Sequence, residues 1–130
     1  MKKQAEEWLR FSKVDLDTVL KIKDEENLTQ SSAFHCQQTI EKAFKGLLVE
    51  KQNTMPRIHD LNKLYGMIIE CGIDFNLDED ILDEINDVYT ESRYPGDFGL
   101  IPQGIPSLIT INKFYEEAKR ILEQIREILN

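Results

Sequence analysis

The stretch that decides the fold is "AFHCQQTIEKAFKGLL", residues 33–48. Ala33, Cys36, Ile40, Ala43, Phe44, Leu47 and Leu48 recur at steps of three and four, which predicts a helix with one continuous apolar stripe. Gln37, Gln38 and Glu41 interrupt that stripe, and Lys42 and Lys45 follow closely. A helix made for a core therefore carries much hydrogen-bonding capacity in its middle. A buried amide without a partner costs about 1–3 kcal/mol. Gln37 and Glu41, one turn apart, are accordingly expected to bond to neighbouring helices and fix the register of the bundle, with Tyr89 or Arg93 as suitable partners. Lys42 and Lys45 are expected on a solvated face.

Outward from this helix the same periodicity repeats. Toward the N-terminus, Ala5, Trp8, Leu9, Ser12, Leu16, Val19 and Leu20 mark a helix over residues 3–25, ended by "DEEN". The helix quoted above is expected to start at Thr29 or Gln30 and to reach Lys51. Pro56 disfavours helix at Met55, so "QNTMPR" reads as a connector. Ile58, Leu61, Leu64, Tyr65, Ile68 and Cys71 form a third stripe, with Gly72 as its stop. A fourth helix, capped by Asn76 or Asp78, carries Ile81, Leu82, Ile85, Val88 and Tyr89. Its first turns are crowded with acidic residues, where the helix dipole favours negative charge. Residues 94–107, "YPGDFGLIPQGIPS", form a long loop before a last helix over residues 108–129. A loop of this length in a small domain is either a spacer or a binding element. No strand alternation and no internal repeat compete with this pattern. The expectation is an all-α, up-and-down bundle of four to five antiparallel helices in one domain spanning residues 1–130.

Composition narrows the function classes. With 130 residues and 41% hydrophobic content, the chain can bury a modest core. Its net charge of -8 repels nucleic-acid backbones and anionic lipid, so an RNA contact would need a local basic patch. No segment has the length and apolarity of a membrane span, and no signal peptide is visible, which makes cytoplasmic localisation the expectation. Cys36 and Cys71 lack metal-ligand spacing and read as free buried thiols.

Three pieces carry a resemblance: "AFHCQQTIEKAFKGLL", then "PRIHDLNKL", then "DVYTESRYP". In this order they resemble the HEPN domain family, whose members commonly read Ala-Phe-His-x-Gln-Gln-x-x-Glu-Lys-x-x-Lys, His-Asp-Leu and Tyr-x-x-x-Arg-Tyr-Pro. The resemblance covers essentially the whole chain. It implies an all-α bundle, commonly a homodimer, often encoded beside a minimal nucleotidyltransferase in a toxin–antitoxin-like module. Many members are ribonucleases; others bind nucleotides or partners. The ribonucleases carry an Arg followed four to six residues later by His. Beyond Arg93 the chain reads Asp97, Phe98 and Gly99, and no His follows His59. The usual imidazole base for attack by a 2'-hydroxyl is thus absent, so the resemblance implies the fold rather than standard RNA cleavage.

The candidate ligand-binding residues are Arg93, Tyr94, Tyr89, His35, Gln38, Lys42 and His59. Arg93 is a bidentate donor suited to phosphate or carboxylate; Tyr89 lies one turn earlier and Tyr94 could stack on a base. A salt bridge from Arg93 to Asp87, Glu91 or Asp97 is the bland counterpart. Gln38 and Lys42 would stand opposite, lining a groove. His59-Asp60 resembles the pair of the HD phosphohydrolases, but those need further His and Asp ligands and only His35 remains, so no metal site and no cofactor are expected. Asp60 is instead expected to cap the third helix, and His35 to be a groove residue or a packed imidazole. Three functions compete: a non-catalytic HEPN dimer binding a nucleotide or a nucleotidyltransferase partner, a metal-independent ribonuclease with a non-standard site, and a structural helical adaptor.

Overall fold

The computed structural model describes residues 1–91 and 104–130, with side chains described for 1–88 and 104–130. The described helices are α1 (Lys3–Ile22), α2 (Thr29–Gln52), α3 (Leu61–Glu70), α4 (Glu79–Glu91) and α5 (Leu108–Leu129), with a 3-10 turn at Glu26–Leu28 between the first two. No strand occurs among the described residues. The all-α bundle expected from the periodicity is the architecture found.

Helix α2 is the axis of this bundle, packing against each of the other four helices. Surrounded in this way, it buries residues on nearly every side: Gln37, Thr39, Glu41 and Lys45 as well as Ile40, Phe44, Leu47 and Leu48. A peripheral helix sorts its apolar residues to one stripe, whereas a central one has no solvent side to which polar residues can be sent. The apolar half meets Leu9, Leu16 and Val19 of α1, Leu64 and Ile68 of α3, Leu82 and Ile85 of α4, and Phe114, Ile121 and Ile125 of α5 in one continuous core. Phe44 anchors it. Its ring lies 6.2 Å from those of both Tyr65 and Phe75, which are themselves 6.0 Å apart. Burying one such aromatic contributes about 1.5–3 kcal/mol.

Close approach of α1 to α2 depends on Gly46. A Cβ there would stand 3.1 Å from Leu9 Cδ2, 3.2 Å from Trp8 Cβ and 3.4 Å from the Ala5 carbonyl oxygen. The α1 face that makes this contact holds Ala5, Leu9, Ser12, Asp15, Leu16 and Val19. Leu20, expected in that stripe, is half exposed, and Asp15 is buried in its stead. The ridge presented to α2 runs through 12, 16 and 19, and residue 20 lies about 40° beyond 16, at its edge.

Helix ends follow local chemistry. α1 stops at Ile22 rather than at 25, because Asp24, Glu25 and Glu26 put negative charge at the negative end of the helix dipole. α3 starts at Leu61, not at Ile58. The Asp60 carboxylate accepts from the N–H groups of Asn62 (2.9 Å) and Lys63 (3.1 Å), the expected cap. Ile58 packs on the core from the connector instead. Gly72, at φ +78°, closes α3 as expected, in a conformation that glycine adopts without penalty. Of the two caps considered for α4, Asp78 is the one used, accepting from Asp80 and Ile81.

Connector 53–60 sets up the polar side of the fold. It leaves the end of α2 at Asn53, which has φ 55°, and returns along that helix until the His59 carbonyl accepts from Gln37 Nε2 at 3.0 Å. α3 therefore begins beside the middle of α2. Asn86 of α4 locks this start, its Oδ1 accepting from the Leu61 N–H at 2.9 Å.

Candidate functional site

Two buried carboxylates organise the polar side of α2. Glu41 is 6% exposed at its side chain, and so is the end of the Lys45 side chain beside it, at 5%. Glu41 Oε2 accepts from Lys45 Nζ at 2.9 Å and from His59 Nδ1 at 3.0 Å, while Oε1 accepts from Gln37 Nε2 at 3.0 Å. Gln38 extends the chain, donating to Gln37 Oε1 at 2.7 Å. Lys45 also lies 5.7 Å from the centroid of the Trp8 ring, a cation–π contact. Burial of two charges is tolerable only when they are paired, as Glu41 and Lys45 are.

The second carboxylate belongs to α1. Asp15, with its side chain 9% exposed, receives Lys42 Nζ on one oxygen at 2.6 Å and His35 Nδ1 on the other at 2.8 Å. Nearby, Ser12 Oγ donates to the Thr39 carbonyl at 2.6 Å. An ionised carboxylate can only accept, so His35 donates to Asp15 from Nδ1. The imidazole is partly exposed and meets the Phe34 ring edge-on, with centroids 5.2 Å apart.

These contacts revise the expectations for the lysines. Lys45 is not on a solvated face; the central position of α2 buries it, and Glu41 neutralises it. Lys42 is only partly exposed and is held by Asp15. Gln37 finds its partners in Glu41 and the His59 backbone. The four candidates divide between the two networks: Gln38 and His59 join that of Glu41, and His35 and Lys42 that of Asp15. Tyr89, Arg93 and Tyr94, with most of the 94–107 loop, lie outside the residues whose side chains are described. Asp15 was missed in the sequence. Its signal was present, since it sits three residues after Ser12 and four before Val19 in an otherwise apolar row.

Thiol chemistry has little scope here. Cys36 is fully buried, and burial pushes its thiol far above the usual range; Cys71, partly buried, donates to the Met67 carbonyl at 3.3 Å. Among the described residues no group of His, Cys, Asp and Glu has the arrangement of a metal site. None of the described helices is long and apolar enough to cross a membrane.

No curated protein and no solved structure matches the chain. A family model described as HEPN domain matches residues 5–130. That span contains both carboxylate networks and all three sequence pieces from which the resemblance was drawn, and the chain belongs to the HEPN domain family.

Proposed function

We propose that this chain is a single HEPN domain acting without catalysis, as a cytoplasmic homodimer that binds a nucleotide or a minimal nucleotidyltransferase partner beside Arg93. The observation that carries this reading is the state of the two imidazoles, the only ones in the sequence. Each is engaged through Nδ1 by a buried carboxylate, His35 by Asp15 and His59 by Glu41. Both therefore serve the cohesion of the bundle, and no third imidazole follows Arg93 to act as base. Binding needs only donors, which Arg93, Gln38 and the Tyr89 and Tyr94 hydroxyls supply. Dimerisation is supported by Phe11, Val14 and Phe34, large apolar side chains left exposed on a small bundle. In family terms this describes the binding member of a nucleotidyltransferase-linked, toxin–antitoxin-like module.

Calorimetric titration of ATP into wild type and Arg93→Ala tests the site. Binding that weakens in the variant and falls with added salt is expected; equal affinity in both removes Arg93. Sedimentation equilibrium at micromolar concentration should give a dimer, and a monomer would sink that part.

One observation favours the ribonuclease reading instead. His35 is partly exposed and its ring is oriented by a carboxylate on Nδ1, the way an acid–base imidazole is held. RNA cleavage by wild type that vanishes in both His35→Ala and Arg93→Ala would establish that alternative over the binding one.

A further inference from the structure

Between α1 and the end of α5 lies a groove of about 300 Å³. Its lining is unlike the rest of this acidic chain. Arg10, Lys13 and Arg126 line it together with Glu6, Met1 and Asn130, while Leu9 and Val14 supply apolar wall. The three bases are not equivalent. Arg10 is engaged by Glu7 at 2.7 Å and Lys13 by Asp17, both in exposed pairs that water and other anions readily replace. Arg126 is different. Its Nε is buried and meets no acceptor among the described residues, nor does any ion pair there involve its guanidinium. The Nε is closed to solvent, so an oxygen anion in the groove would meet the partly exposed guanidinium through its Nη groups, which no acid pairs among the described residues.

We propose that this groove binds an organic oxyanion, a carboxylate or phosphate ester on a short apolar body, with Arg126 reading the head group. The guanidinium offers its two Nη groups as a fork matched to two oxygens of one head group. Lys13 and Arg10 add charge at the rim, and Leu9 with Val14 takes the apolar body. The size is at the lower end for small-molecule pockets, which excludes a large ligand. None of the lining residues belongs to the carboxylate networks of α2, although Val14 is shared with the exposed apolar patch offered above for dimerisation.

The test observes the Arg126 side chain directly. The full chain, labelled with ¹⁵N, is titrated with phenyl phosphate, benzoate and benzyl alcohol while the Arg126 Nε–H resonance is followed. The resonance is expected to move and saturate with the anions and to stay in place with the neutral alcohol. Preference between the two anions identifies the head group. Arg126→Gln should lower affinity at least about tenfold, as loss of a charge-assisted contact implies, and Lys13→Gln about two- to threefold. A resonance that does not move with either anion overturns the proposal, as does equal response to the alcohol or unchanged affinity in Arg126→Gln. Should Arg126→Gln fail to fold, the wild-type titration and Lys13→Gln decide the matter by the same criteria.

Discussion

Removing the Glu41 carboxylate is the most direct test of how α2 is held. At 2.9 Å and an effective dielectric constant of about 20, the attraction between Glu41 and Lys45 is roughly 6 kcal/mol. Taking both groups out of water offsets much of this, so the intact pair contributes little net stability. Truncation is another matter, because Glu41→Ala leaves the Lys45 ammonium buried with only the Trp8 ring nearby. Loss of one partner of a buried pair costs about 3–5 kcal/mol, a large part of the roughly 5–15 kcal/mol by which such domains are stable. The double variant Glu41→Met, Lys45→Met removes both charges and keeps the volume, and should recover at least about 2 kcal/mol of that loss. Urea unfolding followed by far-ultraviolet circular dichroism on wild type, both single variants and the double variant measures the cycle. A loss below about 1 kcal/mol in Glu41→Ala, or a double variant that merely adds the single losses, would refute the reasoning.

Other expectations are smaller in scale. Gly46→Ala should destabilise by about 1–2 kcal/mol, because crowding against Leu9 and Trp8 outweighs the gain in helix propensity, whereas Gly66→Ala, which meets open space on α3, should stabilise by about 0.5–1 kcal/mol; thermal unfolding of the two variants must shift in opposite directions. Asp60→Ala should lose about 1 kcal/mol with the α3 cap, read from the midpoint of urea unfolding. Burial raises the Cys36 thiol, and burial followed by the Glu79 and Asp74 carboxylates raises the Tyr65 hydroxyl. The unfolded chain therefore releases these protons first. Stability should be complete below about pH 8.5 and fall above it, with Cys36 contributing at most about 1.4 kcal/mol per pH unit; Cys36→Ala should flatten the alkaline limb of a stability–pH curve, and an unchanged limb would count against the assignment. Ellman's reagent should label Cys71 in the native protein and reach Cys36 only on unfolding.

The helices were legible because amphipathic periodicity and capping chemistry are local properties. Asp60, Asp78 and Gly72 each end or start a helix through atoms a few residues away, and each was readable as such. The surroundings of α2 were not. Whether Lys45 faces water or a buried carboxylate depends on how many helices enclose α2, which is a property of the packed bundle rather than of residues 29–52. Gln38, Lys42, His35 and His59 were singled out as polar residues beside the core, but their division between two carboxylates was not readable. Asp15, the residue that binds two of them, lies on another helix, and its pairing needs the crossing of α1 and α2 to be known. Arg126 escaped notice for the same reason: a basic residue in the last turn of a helix ordinarily complements the dipole, and only the facing α1 makes it the floor of a groove.

The two carboxylates of α2's polar side also differ in when they can be neutralised as the chain folds. Glu41 and Lys45 are one turn apart on the same helix, so they meet once α2 winds, while the segment is still wet. Their dehydration, when the other helices close around them, is then that of a ready-made neutral pair. Asp15 has no such partner on its own helix. Lys42 and His35 reach it only after α1 has docked on α2. Substitutions at Asp15 thus probe the docking of the α1–α2 hairpin, and belong in its folding rate if that docking lies at the barrier. Charge at Glu41 probes the later closure of the bundle and belongs in the unfolding rate. One helix carries two internal clocks, and kinetic measurements on the two sites would read the order of assembly from the order of neutralisation.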